Sequence, residues 1–109
     1  MKIDISKLAK SSRPQDMNGT LQVLRHNYNI FASWGGHNFQ NHANKVLRFN
    51  VNGHHHRGHV YLTVNGADLY DVYLTTTHGN IVKEMKNIYF DDLVERIDVA
   101  IERVDTYVF

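Results

Sequence analysis

Four of the chain's eight histidines fall between positions 54 and 59, and no other segment concentrates so many groups able to ligate or transfer a proton near neutral pH. In Asn52-Gly53-His54-His55-His56-Arg57-Gly58-His59, the side chains of His54, His56 and His59 are the candidate ligands of a single metal ion. Two features argue against that use. Neighbouring residues of a strand point to opposite faces, so adjacent histidines cannot all converge. No carboxylate lies near them in the chain to orient a ligand from behind. The other reading is a solvated loop made basic by Arg57 and by its imidazoles when protonated. No metal or other cofactor is therefore assigned.

The charge distribution extends that basic character. Residues 1–59 carry eight Lys/Arg against two Asp, and residues 60–109 carry four Lys/Arg against nine Asp/Glu, for a net charge of +1. From Met17 to Ala67 there is no carboxylate, yet the window holds Arg25, Lys45, Arg48, Arg57 and seven histidines. Either basic strands pair with an acidic helix in the fold, or a surface is left that suits an anion. If the anion is single-stranded nucleic acid or a nucleotide, Lys45, Arg48 and Arg57 would meet phosphate, and Trp34, Tyr61 or Tyr73 would stack on bases. The alternative for Trp34, which sits in Ser33-Trp34-Gly35-Gly36-His37, is to anchor its loop to the core. Tyrosines on strands are likewise ordinary sheet residues.

Catalytic arrangements are missing from the inventory. The absence of cysteine removes thiolate zinc sites, thiol nucleophiles and disulfides together. Ser6, Ser11, Ser12 and Ser33 sit in no nucleophile-elbow context, and no phosphate-cradling glycine loop is present. Asp91 with Asp92 suits a helix start, and Asp68 with Asp71 suits a turn. The chain reads as a binding domain and not as an enzyme.

These groups must be positioned by a chain of 109 residues, 42% of them hydrophobic, which is the length and composition of one ordinary domain. Pro14, after Ser11-Ser12-Arg13, is the one hinge, making residues 1–13 a candidate flexible arm and residues 14–109 a single domain. The spacing of Leu21, Leu24, Tyr28 and Phe31 predicts a helix over 18–32, capped by Asn18 and stopped by Gly35-Gly36. Leu47, Phe49 and Val51, then Val60, Leu62 and Val64, then Tyr70, Val72 and Leu74 alternate with polar residues and predict half-buried strands. Asn65-Gly66 predicts a two-residue hairpin turn, and His78-Gly79-Asn80 leads into a fourth strand, Ile81 to Ile88. Leu93, Ile97, Ile101 and Val104 predict a closing helix. The expected fold is α+β, a four-stranded antiparallel meander in the order α-β-β-β-β-α, with helices on one face and two layers. Its polar face, carrying Arg48, Asn50, Tyr61, Thr63, Tyr73 and Thr75, is expected to be open.

Ser33-Trp34-Gly35, Asn44-Lys45-Val46-Leu47-Arg48-Phe49, Val51-Asn52-Gly53, Arg57-Gly58-His59-Val60 and Asp68-Leu69-Tyr70-Asp71-Val72-Tyr73-Leu74-Thr75 together resemble small uncharacterised proteins of bacteriophages and mobile elements of gut bacteria. The resemblance spans residues 30–105 as a pattern and brings no activity or ligand. It implies a chain that binds a component of its host. The expected function is thus non-catalytic binding of single-stranded nucleic acid or a nucleotide. The alternative is a phage-type interaction protein that binds or inhibits a bacterial host protein, or a homodimeric structural domain. No apolar run approaches the ~20 residues of a membrane helix. The amino-terminal residues Met1 to Leu8 lack the apolar centre of a secretory signal, so the expected location is cytoplasmic.

Overall fold

Leu47, Phe49 and Val51 alternate with polar neighbours because they line the buried face of a strand, and the same holds for the runs that follow. The computed structural model describes residues 2–26, 28–53 and 55–101. In it, β1 (His37–His42), β2 (Val46–Asn52), β3 (Arg57–Val64), β4 (Tyr70–Thr75) and β5 (Ile81–Ile88) form one sheet, each strand antiparallel to the next in chain order. Helices α1 (Ile5–Ser11), α2 (Met17–Arg25) and α3 (Tyr28–Ser33) precede it, and α4 (Leu93–Ile101) follows. No helix among the described residues is long and apolar enough to cross a membrane.

The α+β antiparallel meander is as expected, but it has five strands instead of four. The extra one, β1, reads His-Asn-Phe-Gln-Asn-His and has only Phe39 to mark a buried face. An edge strand exposed along most of its length loses the alternation that betrays a half-buried one. What makes it a strand is its pairing with β2 through a turn in which Ala43 and Asn44 both take φ 56°. The turn between β3 and β4 also differs from expectation. Positive φ falls on Asp68 (62°) and not on Asn65-Gly66, and the Asn65 side chain accepts from the Ala67 and Leu69 amides across a longer loop.

The helix expected over 18–32 is two helices. Asp16, not Asn18, caps α2, accepting from the Asn18 amide at 3.1 Å. The His26 amide reaches Val23 O where α2 ends, and Tyr28, expected on the buried stripe, is turned to solvent. Leu24, Phe31 and Trp34 keep their places, packing with Leu93, Ile97 and Ile101 of α4 on the face formed by Leu47, Phe49, Val60, Leu62, Val72 and Leu74. Val104 lies outside the described residues.

Helices cover both faces of the sheet, which makes three layers where two were expected. Asp4 caps α1 through the Lys7 amide, and Leu8 packs on Val46, Tyr61 and Tyr73, the face opposite the main core. Ile3 N donates to Gly79 O at one end of the segment, and Arg13 N donates to Val64 O at the other. Gln15 then crosses the sheet end, its amide donating to Lys45 O and Leu62 O. Residues 2–13 are thereby laid diagonally over half the second face. Deleting a buried leucine side chain costs about 2–5 kcal/mol, less where the site can collapse. Leu8→Ala is expected to lower stability by about 2 kcal/mol in urea unfolding and to make residues 2–13 the first protease cleavage site. An unchanged digestion pattern would show that α1 is held by other contacts.

Candidate anion-binding face

The half of the second face that α1 leaves open belongs to β1, β2 and β3. Strand alternation and register arrange its residues. Arg48 lies between Gln40 of β1 and Tyr61 of β3, Asn50 between His37 and His59, and Asn52 opposite Arg57. At its centre Arg48 Nη2 is 3.0 Å from both ring nitrogens of His59. A neutral imidazole has one lone pair, so whichever tautomer is present this is one hydrogen bond, donated by the guanidinium. The His59 ring also meets Tyr61 edge-on at 6.5 Å. Burial holds His59 below the usual imidazole range, and the charges of Arg48 and His56 push it further down. Burial lowers His56 too, against backbone hydrogen bonds with His59 and Thr75 that act in the other direction. Among the described residues, Asn50 Oδ1 and His56 Nε2 are buried without a hydrogen-bond partner.

Two glycines shape the histidine loop around this face. At Gly58, where φ is +154°, a Cβ would collide with Thr75 O, so β3 approaches β4 closely only because no side chain intervenes. At Gly53 a Cβ would run into Ile101, and the His55 amide donates to Ile101 O at 2.6 Å. The loop is thereby tied to the end of α4. Among the described residues no three His, Cys, Asp or Glu side chains are grouped to hold a metal ion, and His54 lies outside those residues. His56 and His59 are neighbours in an imidazole–guanidinium cluster.

Of the residues expected to bind a ligand, the structure brings Arg48, Arg57, Tyr61 and Tyr73 to one face of the sheet, where α1 covers the two tyrosines, and places Lys45 and Trp34 elsewhere. Lys45 sits in the β1–β2 turn, at the opposite end of β2 from Arg57. Trp34 is 0% exposed, donates from Nε1 to Asp98 at 3.0 Å and meets Phe31 edge-on, so it is the core anchor of the alternative reading. Tyr61 and Tyr73 are 4% and 8% exposed beneath α1, which removes their rings from any base. Tyr73 is further engaged by Lys86, whose ammonium donates to its hydroxyl at 3.0 Å and lies over its ring. That hydrogen bond raises the lysine above its usual range, partly offset by burial. Two residues take places that the sequence does not assign them. His59 is legible there only as a metal ligand, and Asn50 only as a polar face residue. Period two alone places His59 beside Tyr61 on the Arg48 face; only the β2–β3 register puts it opposite Asn50.

The acidic half of the chain does not pair with the three cations expected to meet phosphate. None of Lys45, Arg48 and Arg57 forms an ion pair among the described residues, where the one pair is Arg13 with Asp68 at 3.5 Å. The buried carboxylates are satisfied by uncharged donors, Asp71 by Asn65 and the Asn87 amide, and Asp98 by Trp34. Helix α4 packs on the opposite face of the sheet from Arg48. No protein-family model, curated protein or solved structure matches the chain.

Proposed function

We propose that the open half of the second sheet face is a non-catalytic binding site for a phosphate-bearing anion, a nucleotide or single-stranded nucleic acid, gripped by its phosphates and not by base stacking. The observation that carries this reading is the Arg48–His59 pair, a guanidinium bound to a neutral ring, with Arg57 on the same face and no carboxylate among the described residues paired to either arginine. Guanidinium groups match phosphate oxygens through paired donors. The buried, unpartnered Asn50 and His56 atoms beside that pair add polar groups that a ligand with both donors and acceptors would satisfy.

A labelled single-stranded oligonucleotide followed by fluorescence anisotropy tests the reading. Single strands release about 0.7 counterion per phosphate neutralised, so two or three contacts predict an affinity falling about tenfold between about 50 and 200 mM salt. Affinity that does not change with salt, or no binding at low salt, would remove the proposal.

A further inference from the structure

Two acceptors beside the Arg48–His59 pair have no donor. They are Asn50 Oδ1 and His56 Nε2, two of the three buried side-chain atoms among the described residues without a hydrogen-bond partner. An amide oxygen can only accept. The His56 ring is hydrogen-bonded to the backbone at His59 and Thr75 and burial disfavours its charged form, so with Nε2 unpartnered the proton sits on Nδ1 and Nε2 keeps its lone pair. The neighbours of Asn50 do not fill the gap. His37, its partner on β1, gives its Nδ1–H to Gly35 O at 2.8 Å, and Arg48 turns Nη2 to His59. Enclosed acceptors without a donor are costly and rare in folded proteins. A phosphodiester, which only accepts, satisfies neither of these two.

We infer that the donor missing at Asn50 Oδ1 is the 2′-hydroxyl of a ribose whose phosphate lies on Arg48, so that the ligand is a ribonucleotide and not a deoxyribonucleotide. This rests on the phosphate-binding reading above and narrows its ligand. Asn50 is two residues from Arg48 on β2, about 7 Å along an extended strand. Arg48 leans toward it, because His59, to which the guanidinium is bound, is the register partner of Asn50. The donor must therefore lie close to the phosphate. In RNA the 2′-hydroxyl sits on the sugar carbon next to the one bearing the 3′-phosphate, and deoxyribose has no donor there. Base amines lie farther away, and the rings that would hold a base on this face, Tyr61 and Tyr73, are covered by α1.

Fluorescence anisotropy at fixed low salt tests this with labelled oligonucleotides of one sequence made as RNA, DNA and 2′-fluoro RNA. The last keeps the ribose pucker but replaces the hydroxyl with an atom that cannot donate. RNA is expected to bind about three- to tenfold more tightly than either of the others, the worth of one neutral hydrogen bond. Asn50→Val removes the acceptor and suits a strand. It is expected to bring RNA within about twofold of 2′-fluoro RNA. Competition against the labelled RNA by adenosine 3′-monophosphate and its 2′-deoxy form identifies the source. Displacement by the ribose form alone assigns the contact to a free nucleotide, and displacement by neither assigns it to a strand. Equal binding of RNA and DNA overturns the inference and leaves the phosphate reading standing. So does 2′-fluoro RNA that binds as well as RNA, or a preference that survives Asn50→Val. No binding of any of the three at low salt removes both.

Discussion

Arg48→Gln is expected to raise the dissociation constant for a single-stranded oligonucleotide by about ten- to a hundredfold at low salt. A hydrogen bond to a charged group contributes about 1.5–3 kcal/mol, and each 1.4 kcal/mol is a factor of ten. Glutamine keeps the stem and polarity but lacks the charge and the fork. Arg13→Gln removes the same formal charge from an exposed residue paired with Asp68 and is expected to change affinity by less than about twofold. Equal losses in the two variants would mean that net charge, and not this face, holds the ligand.

The pH dependence sharpens the same expectation. His59 resists protonation in the free fold because burial disfavours the charge and Arg48 and His56 oppose it. An anion seated against Arg48 reverses that balance, so binding takes up a proton at His59 and affinity rises as pH falls toward and below 6.5. Stability of the free fold moves the other way. Its depressed imidazoles bind fewer protons than the unfolded chain, so stability is lost as pH drops through the ordinary imidazole value of 6.5. His59→Gln is expected to flatten the binding profile. Titrations at about pH 6 and 8, read beside urea midpoints, must show these opposite slopes if Arg48 and His59 act together.

Gly58→Ala is expected to cost the fold about 3 kcal/mol or more in urea unfolding. The added Cβ meets Thr75 O, a backbone atom held in the β3–β4 ladder, which cannot swing aside as a side chain could. Relief requires parting the strands where His59 faces Thr75, so oligonucleotide affinity is expected to fall along with stability. Gly66 is the control. Nothing lies within 4 Å of where a methyl group on Gly66 would sit, and Gly66→Ala is expected to stay within about 0.5 kcal/mol of wild type. Equal stability of the two variants would mean that β3 and β4 do not approach as closely as described.

How far the sequence can be read depends on what each residue's neighbours do to it. Period two marks β2, β3 and β4 because their alternate residues are buried by the helical layer. It misses β1, where Phe39 alone faces the core. Leu21, Leu24 and Phe31 are legible as helical, but the break that turns Tyr28 outward is not, since a regular spacing carries no sign of an interruption. The open face is smaller than the alternation implies, because Leu8 gives no hint that it will cross to Val46, Tyr61 and Tyr73 and bury the two rings assigned to stacking. Arg48 and Arg57 stand out from charge alone. Their separation from Lys45, and the union of Arg48 with His59, need the strand register.

The path of the chain over the second face has a consequence for how the molecule assembles. Every strand pairs with its neighbour in sequence, so the sheet grows by hairpins whose closure costs little entropy and comes early. The amino-terminal segment has no such neighbour. Its bonds run from Ile3 to Gly79 and from Arg13 to Val64, and its platform of Val46, Tyr61 and Tyr73 exists only once three strands are in register. Residues 2–13 therefore depend on the sheet for their place, while the pairing of each strand with its sequence neighbour does not run through them.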